Sequence, residues 1–150
     1  MRTRTAAFVV VAAALGVLAG CGDNSKCSDQ TPPIAGVPSC TALASTQVTV
    51  PIHVCPRCDQ GPTTCTVDMT NVAAGSIELV PLSPVCDANA SCPIPDPPTC
   101  PFATANCTFT APAAVGIYHL VVVDATGAQI PNKQLDVVSS GTPSCSGFNL

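Results

Sequence analysis

The chain has 150 residues, with five basic and nine acidic side chains and a formal net charge of −4. Aromatic residues make up only 3% of it, whereas it contains 16 prolines and 11 cysteines. This length suits one domain of ordinary size, and the few scattered basic residues exclude an extended phosphate-binding surface, so nucleic acid is not an expected partner.

The N-terminus begins with a charged segment followed by an apolar one. Arg2 and Arg4 precede an uncharged run, residues 6–18. A transmembrane helix needs about 20 apolar residues, so this run is too short to span a bilayer. Its charged start and short apolar middle are typical of a secretory signal peptide. We therefore expect residues 1–20 to be removed and the mature chain to be extracytoplasmic.

The end of this segment, Leu18-Ala19-Gly20-Cys21, resembles the lipobox of bacterial lipoproteins. The resemblance implies that the thiol of Cys21 carries a diacylglycerol and that its new amino group carries a further acyl chain such as palmitate. Two or more chains anchor a protein stably, so the implied partner is a bacterial membrane. Gly22, rather than Asp, after Cys21 favours the outer membrane or the surface over the inner membrane under the enterobacterial sorting rule.

The remaining cysteines form an even set. In an exported protein, ten cysteines predict about five disulfide bonds, which offset the scarcity of large aromatic side chains in the core. The candidates are Cys27, Cys40, Cys55, Cys58, Cys65, Cys86, Cys92, Cys100, Cys107 and Cys145.

Residues 21–44 are polar and rich in turn-forming residues. Their apolar residues recur neither with the period of 2 that is typical of a strand nor with the period of 3.6 that is typical of a helix. We interpret them as a lipidated tether, with Cys27 and Cys40 linked to an ordered part of the chain. A clear alternation follows in QVTVPIHV, residues 47–54. Four β-branched residues share one face of this predicted strand, and His53 lies on the opposite, solvated face with Pro51 marking an edge or an end.

Three further segments are predicted in the middle of the chain. TTCTVDMT points Cys65 inward, and SIELV, after a turn at Gly75, points Ile77 inward. Residues 81–101 contain seven prolines and three cysteines. Because proline lacks a backbone donor, we expect this segment to be a disulfide-stapled loop without regular structure.

The last predicted strands are more apolar. NCTFT points Cys107 and Phe109 inward, and GIYHLVVVD is apolar on both faces, as is typical of a central strand. A strand around residues 133–138 follows a turn at residues 125–127. Because Cys65 and Cys107 both point inward on separate strands, they are one candidate pair among the roughly nine hundred complete pairings of ten cysteines.

Short strands at intervals of about ten residues, with turn signals between them, predict an all-β sandwich or barrel. In addition, FTAP at 109–112, GIYHLVV at 116–122 and DATG at 124–127 resemble the closing strands of Ig-like modules in bacterial surface proteins. That resemblance implies a single Ig-like β-sandwich over residues 45–140, with a tail at 141–150. It also implies that Tyr118 closes a corner by hydrogen-bonding back to the chain.

Two alternatives involve the Cys55-Pro56-Arg57-Cys58 motif. A CxxC motif at a helix N-terminus is reactive in thioredoxin-like proteins, but the sequence after Cys58 does not favour a helix. His53, Cys55, Cys58 and Cys65 have spacings that a zinc ion could bridge, although no second close cysteine pair follows. The cysteines of both patterns are equally explained as members of structural disulfides, and export favours their oxidation over metal binding.

Signs of catalysis are lacking in the sequence. His119 lies within a strand and is accompanied by no Gly-x-Ser-x-Gly motif, and no carboxylate pair or glycine-rich phosphate loop is present. We therefore expect no catalysis and no cofactor. The sequence favours a lipoprotein with a structural, adhesive or ligand-presenting role and an unidentified protein or carbohydrate partner. The alternative is an extracytoplasmic thiol–disulfide or metal-binding protein centred on Cys55 and Cys58.

Overall fold

The computed structural model describes residues 27–86, 91–93, 100, 102–123 and 129–149. The predicted signal peptide, Cys21, the turn at 125–127 and most of the loop at 81–101 lie outside these residues. Nine strands lie within the described part. They are β1 (Ser28–Gln30), β2 (Ile34–Leu43), β3 (Gln47–Val54), β4 (Thr64–Asp68), β5 (Ser76–Val85), β6 (Ala103–Thr110), β7 (Gly116–Val123), β8 (Gln129–Val138) and β9 (Ser144–Asn149).

The strands form one curled sheet. Its order is β1-β5-β7-β8-β2-β3-β6, with β4 paired to β5 and β9 paired to β2. Strand β2 pairs with β8 and β5 pairs with β7 in parallel, whereas the other pairings are antiparallel. Strands β4 and β6 come into contact, so the sheet folds back over its own apolar face. The all-β, disulfide-rich class predicted from the sequence is confirmed.

One face of most strands carries the core, as the alternation predicted. Strand β3 buries four alternate side chains, and the predicted inward residues of β5, β7 and β8 are likewise buried. These side chains are Val48, Val50, Ile52, Val54, Ile77, Leu79, Tyr118, Leu120, Val122, Leu135 and Val137. The core therefore rests on many aliphatic side chains rather than on aromatic rings. Burial of each Val, Leu or Ile side chain contributes about 1.5–3 kcal/mol.

Strand β7 is central, because it pairs with β5 on one side and β8 on the other. Its second face is less deeply buried than the sequence predicted. Val121 and Val123 are half-buried there, and His119 is exposed. The aliphatic side chains on that face are thus shielded only in part.

The prediction of a tether over residues 21–44 is wrong from residue 34 onward, where β2 is a mostly buried strand. Its first part pairs with β3 and its second part pairs with β8 and β9. Pro38 lies where the register with β9 shifts, between Val37 and Ser39. A proline is tolerated at such a bulge because no ladder donor is needed there.

Two other segments are more regular than predicted. Strand β5 continues to Val85, so the loop at 81–101 starts with paired backbone. Pro81 lies after Leu79, the last residue paired with β7, and before Ser83, the first paired with β1. Because Pro81 is paired with neither β7 nor β1, its missing N–H interrupts neither of those two ladders. The predicted tail at 141–150 also contains a strand, β9, which pairs with β2.

All ten cysteines after Cys21 are paired. The bonds are Cys27–Cys86, Cys40–Cys145, Cys55–Cys100, Cys58–Cys92 and Cys65–Cys107. The expectation of five disulfides is confirmed, and so are the Cys65–Cys107 pair and the attachment of Cys27 and Cys40 to an ordered part of the chain: Cys86 directly follows β5 and Cys145 lies on β9. Because each bond closes a long loop of the chain, each restricts the unfolded ensemble.

Tyr118 fills the role that the Ig-like resemblance implied for it. Its ring is buried at the start of β7, and its hydroxyl donates a hydrogen bond of 3.0 Å to the backbone carbonyl of Ala114. This bond fixes the corner through which the chain passes from β6 to β7. The corner is thus held by one aromatic side chain that is also part of the core.

Replacing Tyr118 with phenylalanine should lower the free energy of unfolding by about 1 kcal/mol, since the variant loses the part-buried hydrogen bond from the Tyr118 hydroxyl to Ala114. Urea unfolding of both proteins with intact disulfides measures the difference. Thr108→Val is the matched control, because the hydroxyl of Thr108 is hydrogen-bonded to Thr49 on the exposed face, where water can replace it. A control as destabilised as the Tyr118 variant would contradict the corner's importance.

Candidate binding surface

Three rings stack on the outer face of the sheet. The imidazole of His53 lies 4.2 Å from the ring of Phe148, centroid to centroid, with 9° between the planes. The ring of Phe102 lies 5.6 Å from the same imidazole at 15°. Phe102 and Phe148 are 51% and 38% exposed. His53 is on the outer face, as predicted, but it is covered by phenyl rings rather than only solvated.

A disulfide holds the first half of this aromatic stack, which consists of His53, Phe102 and Phe148. His53 lies near the end of β3, and Cys55 two residues later bonds to Cys100. Phe102 follows Cys100 by two residues and directly precedes β6, which pairs with β3 along its whole length. The disulfide and the strand pairing therefore bring the phenyl ring of Phe102 beside the imidazole.

The second half is held by strand β9. Phe148 lies on β9, which the Cys40–Cys145 bond fastens to β2. Gly36 of β2 is the register partner of His53 and also lies against Phe148. A Cβ atom at Gly36 would lie 3.1 Å from the backbone oxygen of Phe148, which is too close for backbone that cannot move freely. Glycine at this position thus permits β9 to approach near enough for stacking.

The surface beside the aromatic stack is polar and uncharged. It is formed by the outward side chains of the β3–β6 pair, which face each other in register. Thr49 and Thr108 share a hydroxyl–hydroxyl hydrogen bond of 2.9 Å on this face. We call it the polar face; its residues are Gln47, Thr49, Pro51, Thr104, Asn106, Thr108 and Thr110.

A shallow cleft opens beside the polar face. It has a volume of about 310 Å³ and lies between β3 and the start of β9. This size is at the lower end of the roughly 300–1,000 Å³ of small-molecule sites. The lining residues are Thr41, Val48, Thr49, Pro51, Pro143, Ser144 and Cys145. Because Thr49 and Pro51 also belong to the polar face, the cleft and the aromatic stack flank one surface.

The CxxC motif does not form an internal disulfide. Cys55 bonds to Cys100 and Cys58 bonds to Cys92, so each half of the motif fastens a different part of the chain to the end of β3. The third cysteine of the zinc alternative, Cys65, is bonded to Cys107. Among the described residues, no group of three or more His, Cys, Asp or Glu side chains is placed to hold a metal ion.

The turn that contains Cys58, residues 57–60, is fixed by an ion pair. The guanidinium of Arg57 donates two hydrogen bonds to the carboxylate of Asp59, Nε–Oδ1 at 3.0 Å and Nη2–Oδ2 at 2.7 Å. The side chain of Asp59 is fully buried, whereas that of Arg57 is 29% exposed. The backbone N–H of Arg57 also donates to the side-chain oxygen of Gln60. Arg57, the cation within the CxxC motif, is thus engaged in a local turn.

Away from the candidate surface, the turn after β4 carries Asp68, the one carboxyl group among the described residues whose pKa clearly departs from its ordinary value. The backbone N–H of Thr70 donates to Asp68 at 2.8 Å, and this bond lowers the pKa of Asp68. The side chain is fully exposed, so the bond organises the turn rather than a site.

Sequence reasoning placed His53 correctly but missed Phe102 and Phe148. Phe102 was assigned to no element, although it stands two residues before Thr104 and so shares the outer face with the exposed residues of β6. Phe148 fell in the predicted tail. The scarcity of aromatic residues was a usable signal, because the chain has three phenylalanines after residue 21 and two of them are in this stack.

No helix in the described part of the chain combines the length and the apolar character that a membrane span requires. Comparison with family models, curated proteins and solved structures finds no match to this chain, so its fold and its candidate surface are interpreted from its own geometry.

Proposed function

We propose that this chain is an extracytoplasmic bacterial lipoprotein without catalytic activity, anchored through acylated Cys21 and presenting a ligand-binding β domain. The domain is proposed to be Ig-like and to be held at the outer membrane or the cell surface. Its role is structural, adhesive or ligand-presenting, and the aromatic stack is the surface on which a ligand would be presented.

Cysteine pairing is the observation that carries this proposal. The ten cysteines after Cys21 form five bonds with one another, which leaves Cys21 as the odd one. Disulfides persist in oxidising compartments, so a chain that depends on five of them fits export. A single cysteine left over directly after Leu18-Ala19-Gly20 is the residue that lipoprotein processing would modify.

The corner at Tyr118 supports the Ig-like part of the proposal. Strand β2 adds to it, because it divides its pairing between β3 and β8, which lie in different parts of the curled sheet. The parallel pairings of β2 with β8 and of β5 with β7 are departures, since the sheets of Ig domains are described as antiparallel. The all-β, disulfide-rich class is thus established, and the Ig-like strand order is what we propose in addition.

A Cys21→Ala variant of the full chain, expressed in a bacterium, tests the anchor. The unaltered protein should incorporate labelled palmitate, fractionate with membranes and lose residues 1–20, as read by intact mass. The variant should incorporate no label and leave the membrane fraction. Gly22→Ala, which keeps the cysteine, is the matched control and should remain acylated. Membrane retention of the Cys21 variant, or an unlabelled parent protein, would overturn the proposal.

The thiol–disulfide alternative is separated from this proposal by titration of thiols in the native protein. Five stable bonds predict that no thiol reacts before unfolding. Selective reduction of the Cys55 and Cys58 bonds by a mild dithiol, with the other three bonds intact by mass mapping, would favour the alternative instead.

A further inference from the structure

We propose that the aromatic stack and the polar face together bind a neutral carbohydrate chain. This inference rests on the proposed function, because it specifies the ligand that the presented domain would hold. The site consists of the rings of Phe102, His53 and Phe148, with the hydroxyl and amide side chains of β3 and β6 beside them.

The exposed rings supply the first half of the recognition. Large apolar side chains scattered singly over a surface need no explanation, but two phenyl rings that converge on one imidazole form a cluster. Pyranose rings have flat faces of C–H groups, which stack on aromatic faces, and edges of hydroxyl groups. A ligand with both characters matches rings on one side and hydrogen-bonding side chains on the other.

The polar face supplies the second half. Threonine hydroxyls both donate and accept hydrogen bonds, and the side-chain amides of Asn106 and Gln47 offer both kinds of atom. Sugar hydroxyls also donate and accept, so these groups are complementary. Threonine occupies four of the seven positions on this face.

Charge distinguishes a neutral chain from an acidic one. The polar face contains no Lys, Arg, Asp or Glu, and the chain after residue 20 has three basic and nine acidic residues. An anionic polysaccharide would find no cation to pair with on this face and would be repelled by the net charge of the protein. Uncharged ligand chemistry therefore fits this surface best.

The surface is also rigid before any ligand arrives. Phe102 is fixed through Cys55–Cys100, and Phe148 is fixed through Cys40–Cys145 and the close approach at Gly36. A side chain that is already ordered loses little rotamer freedom on binding, which favours affinity. Two separate disulfides hold one small surface, as a binding site requires.

Affinity electrophoresis tests the inference. The full exported chain, purified in a polyoxyethylene detergent because sugar-headed detergents would compete, is run in native gels containing dextran, glucomannan, xyloglucan or a mixed-linkage β-glucan. Gels with alginate or polygalacturonate serve as anionic counterparts. At least one neutral polysaccharide should retard the protein, and the anionic ones should not.

The variants assign the binding to the site. Phe102→Ala and Phe148→Ala should each weaken the retarding affinity at least tenfold. Ile117→Ala is the matched control, since Ile117 is 59% exposed on β7 and outside the site, and it should bind as the parent does. Circular dichroism and disulfide mass mapping establish that each variant is folded.

Absence of retardation by all four neutral polysaccharides would overturn the inference, as would equal retardation by the anionic ones or unchanged binding of both phenylalanine variants. Binding of a protein from the envelope that depends on Phe102 and Phe148, without any polysaccharide binding, would also overturn it. The failure of this inference differs from a failure of the anchor: an acylated protein that binds no glycan rejects only the ligand, and a protein that binds glycan without acylation rejects only the anchor.

Discussion

Replacing Cys65 and Cys107 together with alanine should lower the free energy of unfolding by about 4 kcal/mol, near the upper end for loss of one native disulfide. This bond joins β4 to β6, which contact each other without being paired as strands in the described sheet. Cys107 is fully buried, and Cys65 packs against the core. The bond therefore closes the curled sheet where no backbone ladder does.

A second double variant, Cys27→Ala with Cys86→Ala, separates this packing effect from chain entropy. Its bond spans 59 residues against 42 for Cys65–Cys107, so loop closure alone predicts a difference of about 0.3 kcal/mol, with the longer loop losing more. Both of its cysteines are exposed beside the edge strand β1. We expect this variant to lose only about 2 kcal/mol.

Urea unfolding of the two variants and the parent measures both values. Equal destabilisation would mean that the unfolded chain, rather than the seam between β4 and β6, determines what each bond contributes. Greater destabilisation of the Cys27 and Cys86 variant would contradict the structural argument outright.

The strands that the sequence predicted well are those with one buried and one exposed face. In β3 every second side chain is fully buried or nearly so, and the period of 2 shows this directly. The inward direction of Cys65 and Cys107 follows from the same period, which is why their pairing could be proposed. For such strands, local hydrophobic pattern and tertiary burial agree.

The strands that were missed are those whose burial does not alternate. Strand β2 is buried at consecutive residues, Gly36 to Pro38, because it passes from one partner to others along its length. Strand β9 contains the exposed Ser144 and Ser146, and what holds it is pairing with β2 and the Cys40–Cys145 bond. Neither feature leaves a periodic trace, since pairing between distant segments is a property of the whole chain.

The candidate surface was predictable only in its centre. His53 could be placed on the outer face by alternation, but its two neighbours come from positions 49 and 95 residues later in the chain. Their convergence depends on the pairings Cys55–Cys100 and Cys40–Cys145, and the sequence does not choose among the many pairings of ten cysteines. The outward direction of the polar side chains of β3 and β6, in contrast, follows from alternation, but the pairing that places these two strands side by side does not.

Replacing Arg57 with methionine should lower the free energy of unfolding by about 2 kcal/mol. The carboxylate of Asp59 is fully buried and receives two hydrogen bonds from Arg57, so the variant leaves a buried charge without its partner. Breaking a fully buried pair typically costs about 3–5 kcal/mol. The estimate is lower because Arg57 is 29% exposed and water can reach part of the site. The flanking bonds of Cys55 and Cys58 limit how far the turn can relax.

A double-mutant cycle with Asp59→Asn isolates the pair. The asparagine variant alone should lose about 1 kcal/mol, because its amide keeps one acceptor for the guanidinium. The double variant should lose less than the sum of the two single variants by about 1 kcal/mol, which is the coupling expected for directly bonded side chains. Additive losses, or losses below about 0.5 kcal/mol in both single variants, would show that the disulfides alone hold this turn. A measurable coupling would instead show that Arg57 of the CxxC motif stabilises the turn that follows β3, the strand that carries His53.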